Sequence, residues 1–136
     1  DRRLYGVRDA TGTVESIASG PRTVAWAREQ GWTGTSGEEL ARSYAAADPV
    51  ARAAVQRSAR AIGEAISGAS TLLDLDVAVV AGGFSNVASD YVDLVQRFAN
   101  ESSVLPYARR VRVVPSGLSG DGPLVGAATL ALFVDE

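Results

Sequence analysis

Leu73-Asp74-Leu75-Asp76-Val77-Ala78-Val79-Val80-Ala81-Gly82-Gly83-Phe84-Ser85-Asn86 is the stretch on which the reading of the whole sequence turns. Val77 to Ala81 is an unbroken apolar run containing three valines. A run without polar alternation reads as a strand covered on both faces, as in a parallel sheet. It leads directly into Gly82-Gly83, a pair that tolerates positive φ and lets a ligand approach the backbone. Asn86 is placed to cap a helix beginning near Val87, whose free N–H groups would face the turn. In open α/β sheets ligands sit at such strand-to-helix turns, although a plain sharp turn would call for the same two glycines.

On the C-terminal side, Val87, Tyr91, Val95 and Phe98 fall on one side of the expected helix. Glu101 to Ser103 reads as a loop. Arg110-Val111-Arg112-Val113-Val114 alternates and then turns apolar, which predicts a second strand ended by Pro115. Ser116 to Gly122 is a flexible loop, and Pro123 starts a last helix, Leu124 to about Phe133. That helix is apolar nearly all round, so it is expected to be buried on every side.

On the N-terminal side, Asp48-Pro49 is an N-cap followed by a first-turn proline, opening a long helix towards Ala69. Val55, Ala59, Ile62, Ile66 and Ala69 mark its inner face; Arg52, Gln56, Arg60 and Glu64 mark its wet one. Gly63 and Gly68, each costing about 1 kcal/mol relative to Ala, are expected to permit close packing. Thr35 and Ser36 precede Glu38 and Glu39 at capping-box spacing and open a helix to about Ala46, with Leu40 and Tyr44 inward. Pro21 starts a helix that runs to about Gln30. Thr13 to Ser19 reads as a short helix ended by Gly20, and residues 1–12 as a polar loop.

The chain has 136 residues, of which 46% are hydrophobic and 21% charged. That is long enough for one domain with a core. A net charge of −3 leaves no electrostatic footprint for nucleic acid or an anionic membrane. The absence of Cys and His removes thiolate and imidazole chemistry. No run has the length of a membrane span and no signal peptide is visible. Without any Met, residue 1 is expected to be an internal cut or a processed end. All thirteen cations are Arg, a coding bias rather than a function. Two strands make a poor sheet alone; a two-sided strand and an all-apolar helix ask for partners outside these residues.

Three segments, in this order, carry a resemblance: Gly12-Thr13-Val14-Glu15-Ser16-Ile17-Ala18-Ser19-Gly20, Asp76-Val77-Ala78-Val79-Val80-Ala81-Gly82-Gly83, and Gly122-Pro123-Leu124-Val125-Gly126-Ala127-Ala128-Thr129-Leu130-Ala131. The chain resembles the C-terminal half of the ROK family of bacterial sugar kinases and sugar-responsive repressors. The resemblance implies an α/β fold, the helix-rich C-terminal lobe of an actin-like ATPase (ribonuclease H-like) fold, with residues 1–136 as a single domain that is incomplete without its N-terminal half. It implies a parent enzyme, cytoplasmic and dimeric, that uses ATP with Mg to phosphorylate a hexose or N-acetylhexosamine. The last helix would match the helix that connects the lobes.

Carried over residue by residue, Glu15 would hydrogen-bond a sugar hydroxyl, a task that suits a carboxylate because it accepts from two neighbouring hydroxyls. Gly82 and Gly83 would form the nucleotide-side glycine pair, with Phe84 and Ser85 lining the adenosine site. Ser116 to Asp121 would belong to a further nucleotide-side loop, with no contact assigned to any one residue. The family's zinc loop departs from the pattern: Leu4 to Thr13 contains no cysteine, tetrahedral zinc requires thiolate or imidazole ligands, and no zinc is expected. Nothing in the chain matches the family's catalytic aspartate or phosphate loops, so this segment by itself is expected to be inactive. Two other readings stand beside the kinase: the inducer-binding lobe of a ROK-type repressor, marked by an upstream winged helix-turn-helix, and a degenerate actin-like module used for assembly.

Overall fold

A computed structural model describes residues 12–118 and 121–133. Its centre is the long helix α4 (Pro49–Leu73), against which three short helices, α1 (Val14–Ala18), α2 (Gly20–Glu29) and α3 (Gly37–Ala45), and the helix α5 (Tyr91–Ser102) pack. The start signals work as read. Asp48 accepts the Ala51 N–H on Oδ1 at 2.8 Å. Pro49 occupies the first turn, and Asp74 ends the helix in the left-handed region at φ 48°. Both ends follow the usual chemistry of caps and first-turn prolines. Ser36 accepts from the Glu39 N–H at 3.2 Å. Glu39 Oε2 reaches past Ser36 and accepts the Thr35 N–H at 2.6 Å, a capping box displaced by one residue. Thr13 caps α1 through the Ser16 N–H. Gly20 begins α2 instead of ending α1, and Gly31, at φ 94°, carries the turn that follows α2.

The inner face of α4 is rotated from the expected one. Ala51, Ala54, Val55, Ser58, Ala59, Gly63, Ser67 and Ser70 are buried, while Ile62 and Ile66 lie at the edge. The cause is the closeness of α5. A Cβ on Gly63 would stand 2.7 Å from both the Ala99 nitrogen and Phe98 Cβ, so glycine is required there. The serines carry hydrogen bonds across the seam. Ser58 donates to the Ala18 carbonyl at 2.9 Å or shares a proton with the Tyr91 hydroxyl at 2.7 Å. Ser67 and Ser103 pair at 2.9 Å, and Ser70 donates to the Ala108 carbonyl at 3.2 Å. Buried hydroxyls that find partners in this way cost the core little. Gly68 has no such duty, since a Cβ there would meet nothing within 4 Å.

The strands β1 (Val77–Val80) and β2 (Arg112–Pro115) pair in parallel, Val77 opposite Arg112 and Val80 opposite Pro115. The Gln96 carboxamide on α5 ties β2 in place: it accepts the Val113 N–H at 2.7 Å and donates to the Val111 carbonyl at 3.1 Å. The expected coverage of β1 on both faces is corrected. Val80 is buried, but Val77 is 39% and Val79 62% exposed, so the described residues cover one face of the strand and leave the other open. The helix after the glycine turn is corrected too. Residues Gly83–Asn86 form a 3-10 turn, and α5 begins at Tyr91 after Asp90, with no side-chain cap from Asn86. The last helix, α6 (Gly122–Phe133), is not buried on every side: Leu124 is 73% and Leu130 70% exposed. Ser119 and Gly120, within the loop expected on the nucleotide side, and most of the Leu4 to Thr13 loop lie outside the described residues. No described helix is long and apolar enough to cross a membrane.

Candidate functional site

The turn that follows β1 is built by its own backbone. Gly82 sits at φ 101°, a conformation that L side chains rarely adopt. Its carbonyl accepts both the Ser85 N–H at 3.0 Å and the Ser85 hydroxyl at 2.7 Å. The positive φ thus falls on Gly82 and not on Gly83. A Cβ on either glycine would meet no protein atom within 4 Å. The surface of the turn is open, which is the condition for a ligand to reach its backbone.

Phe84 is held from three sides. Its ring meets Tyr91 edge-on, with centroids 5.8 Å apart at 84°, a favoured arrangement for two aromatic rings. A Cβ on Gly20 would stand 3.0 Å from the Phe84 ring, and one on Gly37 would touch it at 4.0 Å. The first residues of α2 and α3 are therefore glycines that leave room for one aromatic ring. Tyr91 is in turn fixed by Ser58, and burial raises its phenol above the ordinary tyrosine range despite that hydrogen bond.

The held ring divides two cavities. On one side is a cleft of about 290 Å³ lined by Glu15, Ser19 and the turn Gly82, Gly83, Phe84 and Ser85. On the other is an open groove of about 820 Å³ between the Gly20–Arg28 face of α2, the start of α3 from Thr35 to Ala41, and Gly83 to Val87. Gly83 and Phe84 border both. Every site residue expected from the sequence is thus in one place: Glu15 faces the same cleft as all four residues of the turn, although α2, α3, α4 and β1 lie between them along the chain.

A second wall of the groove was not anticipated. Arg28, Ser36 and Glu38 line it. Glu38 is held below the usual carboxylate range by its own backbone N–H and then by the Ser36 hydroxyl, so it presents a negative charge at the rim. The capping run Thr35-Ser36-Gly37-Glu38-Glu39 was legible as a helix start, but nothing in it says that this start faces the glycine turn. Behind the groove, and sharing Ala41, Asn86 and Val87 with it, lies a more polar hollow of about 700 Å³ that includes Tyr44, Arg52, Asp90 and Arg97. Among the described residues no group of three or more His, Cys, Asp or Glu side chains is placed to hold a metal ion.

A strand, a glycine turn and two cavities sharing one aromatic wall define a helix-rich α/β protein with paired ligand-sized spaces. The chain belongs to the ROK family, whose model matches residues 9–133. Among solved structures it is similar to a ROK family glucokinase from Streptomyces griseus, determined in complex with glucose and AMPPNP, with a TM-score of 0.77 and 24% identity over 88% of this chain and 44% of that one. It is also similar to a "putative sugar kinase" from Cytophaga hutchinsonii, with a TM-score of 0.73 and 22% identity over the same shares. These likenesses show that the chain shares the fold of the matching part of those structures. The chain spans less than half the length of either structure. No curated protein matches it.

Proposed function

We propose that this chain is most of the C-terminal lobe of an ATP-dependent sugar kinase acting on a hydroxyl of a hexose or N-acetylhexosamine. The observation that carries the reading is the shared wall: Glu15 and the Gly82–Ser85 turn border one small cleft, and the same turn borders a larger groove through Gly83 and Phe84. A sugar in the cleft would donate two hydroxyl protons to the Glu15 carboxylate, which fixes its orientation. A nucleoside in the groove would lie against Phe84, with the open backbone at Gly82 and Gly83 beside its phosphates. The two reacting ends would then meet at the turn, and holding them there is the lobe's share of catalysis. Magnesium bound with ATP neutralises phosphate charge. The base and the phosphate loops belong, in this reading, to the N-terminal half. The same half would cover α6 and the outer face of β1, and the whole cytoplasmic protein would be a homodimer. The donor set does not fit zinc, because the sequence offers neither thiolate nor imidazole, and no step is drawn through it.

The test is calorimetric titration of ATP, glucose and N-acetylglucosamine into the whole protein and two variants, each checked for folding by circular dichroism. Gly83→Val is tolerated by the fold, since Gly83 is not at positive φ and a Cβ there meets nothing. It should weaken ATP more than sugar. Glu15→Gln keeps the size and loses an acceptor, costing sugar binding about 1–3 kcal/mol with ATP unchanged. Equal losses of both ligands in folded variants would reduce the turn to a scaffold. Sugar binding without ATP binding in the wild type would point to the repressor.

A further inference from the structure

We propose that Tyr44 is a positioning residue for the groove, which with Asp90 ties the helix forming one wall to the segment forming another. The proposal rests on reading that groove as the nucleotide site. α2 supplies the first wall, the start of α3 the second, and Gly83 to Val87 the third. The second wall is a short helix. α3 is nine residues long and Leu40 is its one fully buried side chain, with Ala41 and Tyr44 packed against the core only in part, which leaves the helix some freedom to tilt.

Side-chain hydrogen bonds remove that freedom. At the end of α3 the Trp32 indole donates to Ser43 Oγ at 3.0 Å, which holds the helix to the loop before it. The Tyr44 hydroxyl donates to Asp90 at 2.8 Å from Oδ2, with Oδ1 at 3.0 Å, across a separation of 46 residues. Among the described residues this is the side-chain bond that leaves α3 for the segment between Val87 and α5. Asp90 lies three residues beyond Val87 and directly before α5, and with Asn86 and Val87 it lines the hollow behind the groove. A phenol donating to a carboxylate makes a charge-assisted bond, about twice as strong as a neutral one. Burial, and then the carboxylate itself, raise the Tyr44 phenol above its ordinary range, so at neutral pH it remains a donor. The tie is behind the groove, away from the cleft of Glu15, and no α3 residue borders that cleft. Its loss should therefore be felt more by the nucleotide than by the sugar.

The experiment uses the whole protein as wild type, Tyr44→Phe, Asp90→Asn and the double variant. Tyr44→Phe retains the ring and loses the bond. Hydrogen exchange should quicken in residues 37–45 and 83–87 together, while the seam of α4 and α5 is unchanged. If about a fifth of the molecules keep the groove formed, the apparent Kd for ATP rises about fivefold. The Kd for glucose should rise less than that for ATP, and the double variant should be no worse than the poorer single one, as for two partners in one bond. Exchange unchanged in both segments, additive losses in the double variant, or glucose weakened as much as ATP would each overturn the proposal. A wild type that binds no ATP would sink the nucleotide reading and the proposal with it. A wild type that binds ATP, with Tyr44→Phe binding it equally well, would sink the proposal alone.

Discussion

Gly63 and Gly83 are the same residue used in opposite ways. At Gly63, in the seam of α4 and α5, a methyl group would collide with two backbone atoms and a Cβ, all closer than 3.0 Å. At Gly83, in the turn after β1, it would touch nothing. The seam is closed and internally satisfied, its serines bonded across it. The turn is open, and its bonds go to fixing its own shape. A region that holds a fold together uses small residues to exclude space, and a region that takes a ligand uses them to leave it.

Substitution should separate the two regions sharply. Gly63→Val, which forces branched bulk into the seam, is expected to cost about 3 kcal/mol, read as a drop in urea midpoint at constant slope. A loss below the error of that measurement would mean that the helices can move apart and that the seam is not close-packed. Gly82→Ala tests the turn's shape without filling space. Gly82 holds φ 101° and ψ 158°, and the strain on an L residue there is about 1–3 kcal/mol, seen in the same assay. Gly83→Val should change stability by no more than about 0.5 kcal/mol, even while it weakens ATP. A large stability loss there would erase the contrast with Gly63.

The smallest effect concerns the capping run at the start of α3. Glu39 is held below the usual carboxylate range first by the Thr35 backbone N–H and then by the Thr35 hydroxyl. A carboxyl lowered in the folded state contributes stability above its unfolded pKa and loses it as pH falls through the folded value. Wild type should therefore exceed Glu39→Gln in thermal midpoint at about pH 7, and the gap should close as pH falls below about 4. A gap that persists into acid would assign the stabilisation to something other than the charge.

Much of this molecule was readable from local chemistry. Asp48-Pro49, Ser36 with Glu39, and Gly31 announce where helices start and stop, because a cap or a positive φ is a property of a few consecutive residues. The inner face of α4 was read too far towards Ile62 and Ile66. Periodicity gives weight to large apolar side chains, whereas the deepest positions went to Gly63, Ser67 and Ser70, whose burial makes sense only through what crosses them. The start of α5 was placed near Val87 on the strength of Asn86. The turn instead closed on itself through Ser85 and Gly82, and α5 began at Tyr91.

The sequence by itself determined the kind of protein: the apolar run into Gly82-Gly83, with Glu15 and the Gly122 to Ala131 segment in the right order, pointed to the ROK family that the match over residues 9–133 shows. It determined as well that no thiolate or imidazole chemistry occurs in these residues. Only the tertiary structure decided that Glu15 and the turn face one cleft, that Phe84 divides it from a groove walled by α2 and α3, and that Tyr44 reaches Asp90 across 46 residues. It also left α6 and one face of β1 exposed where the apolar pattern predicted burial. Caps and turns depend on neighbours along the chain, which a sequence contains. Cavities and walls depend on which helix faces cross, which is settled when the core is packed.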